Sequence, residues 1–252
     1  MKMVESRPRE IRFDRGRHFR AKIGYVLLAM EQTIEEDVFR LAPPGVGVHF
    51  TRAPMANHVS AETLEAMAAG LTGAAALLLP DGDLDVACCA CTSGSLVIGE
   101  DRVAGELRRG APSAKPTSLI TGVIRALRAV RAERIVIATP YLDDINTLEA
   151  DYLRERGFDV LDIQGLRIEK DSDMVRVTPE FIREFAKSLD RPDADAIFIS
   201  CGALRSLDIV DALETEVGKP VIASNQAMIW DTLRLAGIED RIDGYGRLLR
   251  DH

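Results

Sequence analysis

Three of the four cysteines in this 252-residue chain, Cys88, Cys89 and Cys91, fall within four residues, and Cys201 stands apart in the second half. A thiol can serve as nucleophile or as proton donor and acceptor, provided that its thiolate is reachable. A disulfide framework would spread its cysteines, so this set reads as free thiols. Cys88 and Cys91 form a C-x-x-C, but no second such pair or paired histidines accompany it, and His18, His49, His58 and His252 are scattered. No metal is therefore expected. No G-x-G-x-x-G, Walker lysine motif or G-x-S-x-G elbow is present, so nicotinamide, flavin and ATP chemistry have no support and no cofactor is expected. Cys88 and Cys89 lie inside an apolar run and should pack on its opposite faces. Cys91 and Cys201 each follow such a run and precede small polar residues, Thr92-Ser93-Gly94-Ser95 and Gly202-Ala203. Strand ends of this kind carry ligands in open parallel sheets. Amides at a following helix start favour an anion, which should lower the thiol pKa of both cysteines.

The elements that position these thiols alternate. Ile23–Ala29, Val46–Phe50, Asp85–Ala90 and Thr117–Ile120 read as strands in the first half; Ile135–Ala138, Phe158–Asp162, Asp195–Ser200 and Val221–Ala223 do so in the second. Helical patterns lie between them, as at 143–156, where Ile145, Leu148, Tyr152 and Leu153 share a face. Short apolar strands alternating with helices indicate an α/β fold with parallel sheets. The halves also match each other. Ile23-Gly-Tyr-Val and Gly45-Val-Gly-Val recur 112 residues later as Ile135-Val-Ile-Ala and Gly157-Phe-Asp-Val. Asp85–Cys91 recurs 110 residues later as Asp195–Cys201, and Lys115-Pro precedes the same kind of helix as Lys219-Pro. Four matches in one order point to a duplication. The expected architecture is two similar α/β lobes with parallel four-stranded sheets, related by a pseudo-twofold axis, with the active site in the interlobe cleft. The expected boundaries are a basic arm at 1–22, lobes at 23–122 and 135–236, a linker helix end at 123–134, and a tail at 237–252 packing back on the first lobe. A pseudo-twofold axis would make Cys91 and Cys201 face each other, which suits chemistry needing one group on each face of a carbon.

Composition bounds the partners. The chain is 46% apolar and 29% charged, with Lys+Arg 32 against Asp+Glu 40, a net charge of −8. Residues 1–22 hold eight basic and three acidic side chains, a net +5, which leaves −13 for the rest. Nucleic acid binding is not expected of an acidic body. The longest uncharged stretch, Ala66 to Pro80, is too short to span a bilayer, and no secretory signal is visible. A cytoplasmic protein with no membrane partner follows as the expectation. The arm lacks interleaved aromatics and reads as a flexible or subunit-wrapping extension of a homo-oligomer.

Ala90-Cys-Thr-Ser-Gly-Ser95, Thr139-Pro-Tyr141, Ser200-Cys-Gly202 and Pro220-Val-Ile-Ala-Ser-Asn225 resemble the aspartate/glutamate racemase superfamily, in its maleate cis-trans isomerase and arylmalonate decarboxylase branch. The resemblance runs from about residue 22 to 248. It implies two α/β lobes, an active site between them, and neither cofactor nor metal. It also implies catalytic roles for Cys91 and Cys201, and a substrate carboxylate cradled by Thr92, Ser93 and Tyr141 with the amides of Ser93 and Gly202. Arylmalonate decarboxylases of this branch keep only the second cysteine, whereas this chain has both. Where maleate isomerases carry two substrate-binding asparagines, it has Glu31, followed by Gln32, and Asp171. Acids there would repel a second substrate carboxylate, unless both are solvated loop or helix-capping residues. A small carboxylate with an amino or amidine group fits better. The Met30–Glu36 loop is also similar to that of ectoine-utilisation members of the branch, a hint about substrate only.

The leading expectation is therefore a cysteine-dependent, cofactor-independent racemase or cis-trans isomerase. Decarboxylation of a malonate-type acid, and a silent solute-binding module, stand as alternatives.

Overall fold

The computed structural model describes Met3, residues 6–80 and residues 82–252. The arm's Lys2 and Glu5 lie outside the described residues. From residue 6 to 20 the arm is irregular and exposed. It is anchored at its root, where Arg20 pairs with Asp240 and donates from its amide to Gly45 O.

The first half runs β1 (Ala21–Leu28), α1 (Ile34–Leu41), β2 (Val46–Ala53), α2 (Ala61–Ala66), α3 (Ala68–Ala76), β3 (Val86–Cys89), α4 (Thr92–Ile98), α5 (Glu100–Gly110), β4 (Lys115–Ser118) and α6 (Leu119–Ala129). The second runs β5 (Arg134–Thr139), α7 (Asp143–Glu155), β6 (Asp159–Gly165), α8 (Asp171–Met174), α9 (Pro179–Ser188) and β7 (Ala196–Ile199). After a 3-10 turn at Leu207–Ile209 come α10 (Val210–Val217), β8 (Val221–Ala223), α11 (Ser224–Leu235) and α12 (Arg247–Asp251). Each half holds one four-stranded parallel sheet, in the orders β2-β1-β3-β4 and β6-β5-β7-β8. The two orders are the same permutation, as the repeat requires. The central strands β3 and β7 are buried along their whole length, which explains their continuous apolar runs.

The pseudo-equivalent helices α6 and α11 pack against each other between the halves. Gly122 allows the approach: a Cβ there would stand 3.1 Å from Ala227 O and 3.2 Å from Met228 Cα. Polar ties cross the same seam, with Thr117 Oγ1 and Arg125 both donating to Asp231. The tail returns to this region as well, its Leu248 and Leu249 fully buried in a core shared with Leu119, Val123 and Trp230.

Three local expectations need correction. Leu119 and Ile120 open α6 instead of ending β4, because the Ser118 hydroxyl accepts from Thr121 N and caps the helix. The first residues of the expected 123–134 linker therefore belong to α6 itself. On α7 the buried face is Ile145, Asn146, Glu149, Ala150 and Leu153, while Leu148 is 42% exposed. Two polar side chains occupy the inward face that apolar periodicity assigned to Leu148. Finally, no helix follows Cys201 directly; the chain turns and reaches the 3-10 turn only at Leu207.

No helix among the described residues is long and apolar enough to cross a membrane.

Candidate active site

Cys91 and Cys201 line one cavity at the seam of the two halves. First-half residues Leu28, Glu31, Met55, Val59, Thr92 and Ser93 share it with second-half residues Tyr141, Asp171, Gly202 and Ala203. Its water-accessible volume is only about 20 Å3, near the minimum for a single water. A clasp closes one side. Val59 N donates to Glu169 O, Asp171 N donates to Asn57 O, and the Asn57 side chain exchanges hydrogen bonds with Ser172.

The thiols sit in unlike backbone settings. Cys91 is the N-cap of α4, and its sulfur accepts from Gly94 N at 3.2 Å, with the Ser93 hydroxyl 3.9 Å away. Cys201 lies in a turn with φ +98°, a conformation that side chains rarely adopt and that clusters at functional sites. Its amide donates to Ser224 Oγ at 3.0 Å, and Ser224 Oγ shares a 3.1 Å hydrogen bond with the Thr92 hydroxyl. One serine thus ties the two cysteine-bearing segments together. Tyr141 is buried, with its amide held by Thr139 Oγ1 at 3.1 Å, and lines the cavity with Cys201.

Electrostatics corrects the expectation of lowered thiol pKa values. Burial pushes Cys91 up to about 12, against the smaller opposing pull of Gly94 N and Ser93. Burial also raises Cys201 well above the ordinary range, and the charges of Asp171 and Glu31 add to that. Desolvation outweighs the few amides at a short helix start, so both thiols are held in the neutral form.

Glu31 and Asp171 are each 5% exposed, and both face the cavity. Glu31 is also a helix cap: its Oε1 accepts from the amides of Gln32, Thr33 and Ile34 ahead of α1. Burial raises its carboxyl nonetheless. Asp171 Oδ2 has no partner, and burial, followed by the charge of Glu31, pushes its carboxyl up to about 6. Gln32 is exposed, its amide reaching Met30 O, and it does not line the cavity. The turn that buries Glu31 to cap α1 directs the next residue outward. Of the nine candidate positions read from the sequence, Gln32 alone lies away from the cavity.

Sequence reasoning missed the groups that hold these residues. Ser224, Asn225, Met174, Glu149 and Asp37 are all buried around the cysteine segments. Met174 Sδ stands 3.9 Å from the Cys201 sulfur, and Ser200 Oγ donates to Glu149 at 2.6 Å. The internal repeat held a usable signal, because Asp37 and Glu149 are 112 residues apart and so occupy equivalent helix positions. Among the described residues, no three His, Cys, Asp or Glu side chains gather as a metal site.

The arylmalonate decarboxylase family model matches residues 57–249. A maleate isomerase of Nocardia farcinica is 30% identical over 240 residues, covering 91% of this chain and 95% of that protein. An arylmalonate decarboxylase of Bordetella bronchiseptica is 36% identical over 138 residues, 52% of this chain and 56% of its own length. Among solved structures, a mutant of the Nocardia farcinica maleate cis-trans isomerase with a covalently bound succinylcysteine intermediate superposes with TM-score 0.84. It is 28% identical, and the match covers 92% of this chain and 99% of that one. Shared fold, family match and near-complete coverage agree: the chain belongs to the arylmalonate decarboxylase family, in the aspartate/glutamate racemase-like branch that also holds the maleate isomerases.

Proposed function

We propose that this protein is a cofactor-independent isomerase or racemase acting on a small carboxylate by two-cysteine chemistry. The observation that carries the reading is the meeting of Cys91 and Cys201, one from each half, on a single small cavity that also holds hydroxyl and amide donors. In the racemase form, one cysteine as thiolate takes the α-proton and becomes a thiol. The other gives its proton to the opposite face of the carbanion and becomes the thiolate. Thr92, Ser93 and Tyr141, with the amides of Ser93 and Gly202, would hold the carboxylate on which charge develops. In the cis-trans form, the Cys91 thiolate adds to one alkene carbon and the electron pair moves to the next. Cys201 protonates that carbon, the new single bond rotates, and the steps reverse to expel Cys91. The succinylcysteine in the Nocardia relative supports thiolate addition within this family.

Glu31 and Asp171 define the substrate class in this proposal. Their charges raise Cys201, so a substrate ammonium or amidinium beside them would neutralise the acids and bring the thiol down toward reactivity. A second carboxylate would do the reverse. The substrate is therefore a small carboxylate bearing an amino or amidine group. The alternative, decarboxylation of a malonate-type acid with Cys201 as proton donor, draws on the similarity to arylmalonate decarboxylase, and the presence of Cys91 speaks against it. We also infer that the exposed arm, with Ile11 and Phe13 70% and 88% exposed, docks on a second copy whose body is acidic.

The test is a panel of maleate, amino acids, cyclic amidine carboxylates and alkylmalonates in heavy water. Deuterium entering an α-carbon supports racemisation, and geometric isomerisation supports the addition route. Carbon dioxide release from the malonates alone would replace this proposal with the decarboxylase reading.

A further inference from the structure

Asp37 on α1 and Glu149 on α7 are buried carboxyls that the chemistry above leaves without a role. They are repeat equivalents, 112 residues apart, and the surrounding burial repeats too: Val38 and Leu41 match Ala150 and Leu153. Both act on one three-residue segment, Glu149 directly and Asp37 through Asn225. From one side, Glu149 Oε1 accepts from Ser200 Oγ at 2.6 Å. From the other, Asp37 Oδ2 accepts from Asn225 Nδ2 at 2.8 Å, and that same amide nitrogen donates to Gly202 O at 2.8 Å. Between Ser200 and Gly202 stands Cys201, at φ +98°. A non-glycine residue keeps such a conformation only where its surroundings over-determine it.

We propose that Asp37 and Glu149 are a matched pair of positioning residues that grip Ser200–Cys201–Gly202 from both sides and so govern the reactivity of the Cys201 thiol. The proposal rests on the reading that Cys201 is a reacting group. Two features separate the pair from ordinary core filling. Glu149 Oε2 is buried without a partner, so an apolar side chain there would remove an unsatisfied atom, but would also release the segment. In addition, burial pushes each carboxyl up to about 7, so each changes charge near neutrality. Asp37 is faced by Arg40 on its own helix, by Asp208 from the 3-10 turn and by Glu31 from the turn before α1. Glu149 is faced by Ser200, and its charge is felt by Tyr141, which shares the cavity wall with Cys201. Asp171 and Glu31 are the acids that raise Cys201 directly; the Glu149 charge acts on Tyr141 beside it, and negative charge added behind the segment would further disfavour a thiolate there.

The experiment follows alkylation of Cys201 by iodoacetamide with peptide mass spectrometry, using Cys91 as internal reference, from about pH 5.5 to 8.5, a range that brackets carboxyls titrating near neutrality. A thiol far below its pKa gains about tenfold in rate per pH unit. In the parent protein the Cys201 gain should fall short of that around pH 7, where the carboxyls ionise. Asp37→Asn and Glu149→Gln keep the acceptor oxygens but cannot ionise, so together they should move the Cys201 profile toward the full gain around pH 7, leaving the shortfall near pH 6 that belongs to Asp171. Ser200→Ala removes one grip and should change the Cys201-to-Cys91 rate ratio about tenfold or more at every pH, since small misplacements near a reacting atom cost up to about 10²-fold. A double variant that tracks the parent profile overturns the proposal. So does a Ser200→Ala variant that melts lower with an unchanged ratio, because that is a structural role only. These readouts need no turnover. Cys201→Ala retaining activity on the panel would instead defeat the proposed chemistry, so the two readings fail separately.

Discussion

Replacing Asp171 by Asn tests the electrostatics of the cavity through stability alone, before any substrate is known. Asp171 is 5% exposed and its Oδ2 lacks a partner. Its carboxyl is pushed from an ordinary 3.8 up to about 6, by burial first and by Glu31 second. Between those values the folded state holds a proton that the unfolded chain has released. Stability must therefore fall as pH rises through about 4 to 6 and stay reduced above that range. Roughly two pKa units at about 1.4 kcal/mol each give a destabilisation of about 3 kcal/mol at neutral pH. Asn has nearly the same shape and no charge, so this pH-dependent part disappears in the variant. Its buried NH2 brings a fixed cost of about 1–3 kcal/mol if unpartnered, but that cost does not vary with pH. The measurement is urea unfolding of both proteins by far-UV circular dichroism between about pH 4 and 7.5, the window in which the shifted carboxyl titrates. The stability difference, variant minus parent, should grow by about 2–3 kcal/mol from the acid end to the neutral end. A difference that is constant with pH, or that shrinks as pH rises, refutes the assignment of Asp171 as a destabilised cavity acid. The same variant should bind a dicarboxylate better and a zwitterion worse, as isothermal calorimetry with maleate and with amino acids would register.

Cys91→Ala and Cys201→Ala should each lower turnover by about 10³-fold or more with melting temperature nearly unchanged, because each removes a reacting group; substantial activity in either rejects two-cysteine chemistry. Tyr141→Phe keeps the packing and removes the hydroxyl of a residue that lines the cavity with Cys201, so kcat should fall about 10- to 100-fold with the fold intact, as expected for loss of a donor to developing charge. Glu31→Ala strips the carboxylate that accepts from three amides before α1 and should cost about 1–2 kcal/mol of stability in thermal unfolding. Asn57→Ala opens the clasp to Ser172, and iodoacetamide should then reach the cavity thiols several-fold faster at unchanged global stability.

Much of the site was legible in the sequence because it follows from strand ends and repetition. An apolar run of period two or less, ending in a cysteine and small polar residues, fixes which side chains reach the carboxyl end of a parallel strand. The 112- and 110-residue offsets then pair those ends across the halves. Glu31 and Asp171 were legible only through the resemblance to the maleate isomerases, and both face the cavity. Gln32 does not, since a helix cap buries one residue and turns its neighbour outward. Leu148 misled for a related reason: apolar periodicity cannot tell that a polar pair, Asn146 and Glu149, takes the inward face when each has a buried partner, Thr139 and Ser200.

By itself, then, the sequence determined the two α/β halves and their strand-end thiols, since these depend on local pattern and covalent order. Only the tertiary structure decided the protonation and the tension of the site. Cys91 and Cys201 are neutral because burial by both halves outweighs a few amides, and desolvation is a property of packing density around a group. Cys201 holds φ +98° because Ser224, Glu149, Asn225 and Asp37 converge on its neighbours from distant parts of the chain. Contacts between residues 23 to 188 positions apart leave no local pattern, and they exist only once α1, α7 and α11 have packed against the same turn.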